Sequence, residues 1–314
     1  MTSPRTQDDR RAALRALLGL PEGVAPLACA DRAVSAADGM VREELRLGAD
    51  GAIPGTLVRP EGQGPYPAVL YCHAHGGDYG IGRRELTEGR PFMPSPYAPD
   101  LVRHGWAALC IDMACFGDRQ HEGPENSLAK AHLWRGGSLF AAMLADLLGA
   151  LGYLAGRPDV DADRIVTLGI SMGAAHAYWT AAPETRIAGC AHLCMLADIG
   201  PLIAADAHGT HGFYLWVPGL SAVAETGDVA GLVAPRPQFA AHGARDALAP
   251  EAARESAIAR LKRGYDYAGA SNELTLRLED QAGHEETPAM RAGVMALLKR
   301  VAAMETARNL GANT

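Results

Sequence analysis

No C-x-x-C pair occurs in this chain, and its six cysteines are scattered. Cys72, Cys110, Cys190 and Cys194 sit inside apolar runs, the usual habit of buried free thiols rather than of a disulfide framework or a zinc ribbon. Nothing approaches the roughly 18 consecutive apolar residues of a membrane span. The opening "MTSPRTQDDRRAALRALL" has no apolar stretch after its basic residues, so no secretory leader is expected. Long charge runs, internal repeats and low-complexity segments are also missing, as is any H-E-x-x-H string. Net charge is −7, from 29 basic and 36 acidic residues. An evenly spread acidic balance argues against nucleic acid or an anionic membrane as partner. These absences together predict a cytoplasmic protein.

What remains is ample for a core: 314 residues, 48% of them hydrophobic, within the range of one large α/β domain. Residues 7–18 place Leu14, Leu17 and Leu18 at helical spacing, so residues 1–40 read as an N-terminal helical extension. "VREELRL" (41–47) and "AIPGTLVRP" (52–60) flank a turn and read as a hairpin-like pair. "PAVLYCH" (67–73), "WAALCID" (106–112), "RIVTLGI" (164–170) and "RPQFAAHG" (236–243) are short strands without a polar face. Such strands belong in a sheet covered on both sides, hence largely parallel. Helices are expected at 97–105, 134–155, 171–182, 250–263 and 286–305. Alternating strands and helices predict a doubly wound α/β sheet in one domain, 1–314. Two irregular stretches, 76–99 and 198–230, follow strand ends, where ligand sites of α/β folds lie.

"GISMG" (169–173) fits G-x-S-x-G. It follows the strand "RIVTL" and opens a helix of small residues, the setting of a nucleophile elbow. The tight turn would expose Ser171, with glycines where side chains would clash, and the helix N-terminus would favour a forming anion. A serine nucleophile needs a base and an orienting acid. Asp246 and His284 each lie in a loop after a strand, in the chain order Ser, Asp, His. Asp280 and Asp198 are the fallback acids.

"CHAHGG" (72–77) admits two readings. His73 and His75, at i and i+2 of a strand end, point the same way and are half of a metal site, with His121, His208 or His211 to complete it. Alternatively the loop supplies backbone N–H groups to an oxyanion. One donor is then Met172, after the nucleophile, and the other is His75 or Gly76. The absence of further histidines at strand ends favours the second reading. "GGDYGIG" lacks the lysine and Ser/Thr of a phosphate loop.

"PAVLYCHAHGG", "GWAALCIDMACFGDR", "RPDVDADRIVTLGISMGA", "LVAPRPQFAAHGARDALAP" and "AGHEETP" together resemble the α/β-hydrolase superfamily, most closely its dienelactone hydrolase and acetyl xylan esterase-like branch. The likeness spans about 65–300. It implies a mostly parallel sheet of about eight strands and a Ser171–Asp246–His284 triad. In acetyl esterase relatives the oxyanion loop reads His-Gly-aromatic, which falls on His73, Ala74 and His75, with the third residue donating. Dienelactone hydrolases carry cysteine at the elbow, whereas this chain has Ser171, so carboxylic ester hydrolysis is favoured. The resemblance implies no cofactor. The expected partner is a small-molecule ester, and self-association is left open. Tyr79, Phe92, Tyr97, Phe213, Tyr214 and Trp216, from the two irregular stretches, are candidate pocket walls. A metal-dependent hydrolase and a non-catalytic binding homologue are the competing readings.

Overall fold

The computed structural model describes residues 6–304. Among these residues nine strands form one sheet in the order β1-β2-β3-β5-β4-β6-β7-β8-β9. In chain order they are Cys29–Ala37, Met40–Leu47, Ile53–Pro60, Tyr66–Cys72, Ala107–Ile111, Val160–Ile170, Gly189–Leu193, Gln238–Gly243 and Leu274–Glu279. β1, β2 and β3 run antiparallel, and β3 meets β5 antiparallel. From β5 to β9 every pairing is parallel. The alternating apolar residues of the central strands feed opposite layers. Leu70 and Cys72 of β4 enter one core, and Val69 and Tyr71 enter the other.

Among the described residues ten helices cover the two faces: α1 Gln7–Leu18, α2 Glu85–Glu88, α3 Tyr97–Arg103, α4 Glu125–Trp134, α5 Leu139–Ala155, α6 Met172–Ala181, α7 Ile199–Ala204, α8 Thr226–Gly231, α9 Glu251–Tyr267 and α10 Pro288–Ala302. Residues of α1, α5, α6 and α9 fill the first core. Residues of α3 and α10 fill the second. Among the described residues no single helix is long and apolar enough to cross a membrane.

Four differences from the sequence reading have physical causes. Residues 1–40 are not only helical: β1 follows α1 and pairs with β2, making nine strands rather than about eight. All nine residues of β1 are exposed, so it carries no core pattern to read. β7, "GCAHL", is too short and too small to stand out, yet it is fully buried. The helix expected at 134–155 begins only at Leu139, and a separate helix, α4, precedes it at an angle of 96°. Gly136 takes a φ of +80°, and Ser138 then caps α5 by accepting the Ala141 N–H at 3.1 Å. The stretches 76–99 and 198–230 hold short helices and 3-10 turns rather than open loop.

Candidate active site

β6 delivers Ser171 to the carboxyl edge of the sheet. The residue is held at φ +59°, ψ −126°, a region that costs a non-glycine residue of order 1–3 kcal/mol. Its own N–H is tied to the Leu193 carbonyl of β7 at 2.9 Å. Two glycines make the turn feasible. A Cβ on Gly173 would lie 1.9 Å from the Cys72 carbonyl oxygen, and one on Gly169 would lie 2.2 Å from the Gly173 oxygen. The start of α6 is therefore pressed directly against the end of β4, which brings Met172 beside the 73–77 loop.

Asp246 follows β8 and His284 follows β9. Their approach again depends on a missing side chain. A Cβ on Gly243 would lie 2.1 Å from the Gly283 oxygen, and the Arg245 N–H donates to the Ala282 carbonyl at 3.0 Å. With the two loops joined this way, His284 Nδ1 stands 2.7 Å from Asp246 Oδ2. Its Nε2 stands 2.8 Å from Ser171 Oγ. Asp246 is buried, and its other oxygen accepts the Leu248 N–H at 2.9 Å. The three side chains predicted from separate loops thus form one hydrogen-bonded line.

The fallback acids lie elsewhere. Asp280 is exposed in the turn after β9. Asp198 is fully buried, where it accepts from the Gly227 N–H and the Ser256 hydroxyl and pairs with Arg260.

The 73–77 loop is fixed by its surroundings. His73 Nδ1 is 3.0 Å from the Ala74 oxygen, and its Nε2 accepts the Met113 N–H at 3.1 Å. Both ring nitrogens are thus committed within the protein, and burial pushes its pKa down to about 3. His75 Nδ1 accepts the Gly77 N–H at 3.1 Å, which leaves the proton on Nε2. That atom faces the Tyr79 hydroxyl at 3.1 Å and Glu125 Oε2 at 3.3 Å. This corrects the metal reading: neither imidazole offers a free lone pair. Among the described residues no group of three or more His, Cys, Asp or Glu is placed to hold a metal. The backbone N–H groups of His75, Gly76 and Met172 donate to no acceptor among the described residues.

Next to this loop opens a cavity of about 680 Å³, lined by Tyr79, Cys115, Gln120, Glu125, Asn126, His211 and Phe213 among others. Of the predicted pocket residues, Tyr79 and Phe213 line it. Tyr214 is buried behind it, with its ring 5.7 Å from that of His75. Phe92 sits under the loop, where its ring would meet a Cβ on Gly76 at 3.2 Å. Two assignments are corrected. Tyr97 is fully buried in the second core and hydrogen-bonded to Glu286, with Arg291 over its ring. Trp216 lines a separate cavity of about 150 Å³ with Ile199 and Ile203. Apolar ring chemistry alone did not separate core from pocket.

Two residues of this wall carry chemistry that the sequence did not reveal, His211 and Glu125. His211, a candidate only as a metal ligand in the sequence, has Nε2 2.8 Å from the carbonyl of Leu248, the residue whose N–H donates to Asp246. Burial lowers its pKa, opposed by the bond to that carbonyl, so it stands neutral beside the triad. Glu125 accepts the Tyr79 hydroxyl at 2.6 Å. Burial raises its pKa, but the bonds from His75 and Tyr79 outweigh burial and leave it lowered, hence ionised at neutral pH.

No family model matches the chain. A curated relative, "Putative hydrolase YtaP" of Bacillus subtilis strain 168, is 34% identical over 296 residues, which is 93% of this chain and 98% of that protein. The chain belongs to this hydrolase family. Solved structures of the α/β-hydrolase fold superpose on the family member described here at low identity. An acetyl xylan esterase from Paenibacillus sp. R4 gives a TM-score of 0.67 at 20% identity, covering 96% of each chain. A glucuronoyl esterase from Solibacter usitatus gives 0.62 at 14% identity, covering 93% of this chain and 91% of that one. These likenesses establish the fold of the hydrolase as the α/β-hydrolase fold.

Proposed function

We propose that this hydrolase is a serine carboxylesterase acting on small ester substrates without a cofactor. The observation that carries the reading is the line Ser171 Oγ–His284 Nε2–His284 Nδ1–Asp246 Oδ2, with spacings of 2.8 and 2.7 Å. Ser171 attacks the ester carbonyl carbon while His284 Nε2 takes the hydroxyl proton. Asp246 holds the imidazole in the tautomer with Nδ1 protonated and stabilises the imidazolium that forms. The carbonyl oxygen becomes an oxyanion, received by the N–H groups of Met172 and of His75 or Gly76. The tetrahedral intermediate collapses, and the leaving alcohol takes the proton from His284. Water, deprotonated by the same nitrogen, then attacks the acyl-serine; the acid leaves and Ser171 regains its proton. The esterase names carried by the structural neighbours support ester bonds as the substrate class.

Labelling with a fluorophosphonate probe tests the reading. Covalent modification of the wild type at Ser171, lost in Ser171→Ala, is expected, along with turnover of p-nitrophenyl acetate or of an acetylated sugar. A wild-type protein that neither labels nor hydrolyses any of these esters overturns it.

A further inference from the structure

The oxyanion loop rests on an ion pair that neither its sequence nor the triad announces. Glu85 opens α2, and Arg90 follows that helix. Both side chains are buried, at 0% and 1% exposure, and Arg90 Nε meets Glu85 Oε2 at 2.8 Å. The pair is spent on the loop. The two Glu85 oxygens accept the Ala74 N–H at 3.0 Å each, and one also accepts the Tyr71 hydroxyl at 2.8 Å. Arg90 Nη2 donates to the Ala74 carbonyl at 3.0 Å and reaches the His75 carbonyl at 3.4 Å.

That geometry bears on the donor. The Ala74 carbonyl and the His75 N–H belong to one peptide unit, which is not among the cis bonds. In a planar trans peptide the C=O and N–H point in opposite directions. A guanidinium that fixes the carbonyl on one side therefore fixes the N–H on the other. A positive charge against the carbonyl oxygen also draws electron density through the amide and strengthens the N–H as a donor. The glycine at 76 belongs to the same arrangement. At φ +58° a Cβ there would stand 2.9 Å from Arg90 Nη1, so the guanidinium occupies the space a side chain would take.

We propose that Arg90, braced by Glu85, is a positioning residue for the oxyanion donor: it aims and polarises the His75 N–H by gripping the Ala74 carbonyl. The proposal rests on the serine-esterase reading above and deepens it. It assigns the transition-state function of the 73–77 loop to a buried charge in the 76–99 segment.

The test compares wild type, Arg90→Met, Arg90→Lys and the double variant Glu85→Leu/Arg90→Met, in kcat, KM and affinity for a trifluoromethyl ketone that forms a tetrahedral adduct on Ser171. Losing an aligned oxyanion donor costs on the order of 10²–10³ in kcat. Arg90→Met is expected to lose about 10²-fold in kcat with KM within about twofold, and to bind the ketone weaker by a matching factor. Arg90→Lys keeps a charge but not the planar fork that serves both Glu85 and Ala74, so a smaller loss in both quantities is expected. Removing one buried partner strands the other charge and is strongly destabilising. Should Arg90→Met be recovered unfolded, the double variant, which strands no charge, carries the same expectation. Folded variants with wild-type kcat and wild-type ketone affinity, whatever their melting temperature, would reduce the pair to structural support and overturn the proposal. A wild-type protein without ester turnover would instead bring down the esterase reading, and the proposal with it.

Discussion

The elbow at Ser171 and the loop at 73–77 face each other across the site, yet they are shaped by opposite means. The elbow is made by removal: Gly169 and Gly173 leave out side chains that would collide with backbone at about 2 Å. The loop is made by addition: a carboxylate from Glu85 and a guanidinium from Arg90, with the imidazole of the loop's own His73, take up its peptide groups. A shape made by removal depends on local sequence. One made by addition depends on residues brought in from elsewhere. The elbow should therefore fail sharply when a side chain is added, and the loop should fail gradually as its supports are taken away.

The strongest test of the elbow is chemical. Ser171→Ala is expected to lower kcat by on the order of 10⁶ while circular dichroism and melting stay near wild type, since the side chain leaves only a small polar gap. Turnover within tenfold of wild type, in protein free of contaminating esterase, breaks the nucleophile assignment. The steric test comes next. Gly173→Ala puts a Cβ 1.9 Å from the Cys72 oxygen, a backbone atom that cannot swing away. Loss of soluble folded protein is expected, and a stable, active Gly173→Ala would show that β4 and α6 have room to part.

Acid distinguishes the two sides through their histidines. His73, in the loop, and His176 and His192, in the core, are pushed by burial down to about 3, and His242, behind the triad, to about 4. Each is neutral when folded, but titrates near 6.5 when the chain unfolds. A base whose folded pKa is depressed binds its proton first in the unfolded state. Stability is therefore intact above pH 6.5 and falls as the pH drops from there toward the folded values. Each histidine removes about 1.4 kcal/mol per pH unit over that window. Urea unfolding at pH 7.5, 6.5 and 5.5 should show a loss of stability that steepens below 6.5, each of these four histidines taking up a proton as the chain unfolds near pH 5. A stability flat from pH 7.5 to 5 would contradict it. His73→Asn should remove one proton from that count.

The smallest effect is expected where side chain and backbone are separable. His75→Phe keeps the N–H and the ring contact with Phe116 at 5.1 Å, and gives up the bonds to Tyr79 and Glu125 and the acceptor of the Gly77 N–H. Activity within about tenfold of wild type is expected, with a shift in preference among substrates whose groups enter the Glu125 cavity. Complete loss on this one substitution would return a chemical role to the imidazole.

The same contrast sorts what the sequence could reveal. G-x-S-x-G after an apolar strand is a local pattern, so Ser171 and Met172 stand out in the letters. Asp246 and His284 follow strands in the expected order, and a loop next to a strand end has few places to go. Glu85 and Arg90 lie 10 and 15 residues beyond His75 in a stretch rich in glycine and proline. There a buried ion pair looks no different from solvated charge. Trp216 lies in an irregular segment, where an aromatic residue carries no period to say which way it faces, and Tyr97 opens α3, with no helix before it to show its face. β1 and β7 escaped for a related reason. One has no buried face and the other is five residues long, so neither shows the alternation by which strands are read.

β1 has a further consequence, in time rather than in space. It is a full partner in the ladder with β2, but none of its nine side chains is buried. Its opening breaks backbone hydrogen bonds and exposes almost no apolar surface, so it is one of the least costly local unfoldings in the sheet. In deuterium its amides should exchange long before those of β4 and β6, whose strands lie between two cores. Between such openings the molecule spends moments as an eight-stranded hydrolase, with β2 as its edge and the site untouched.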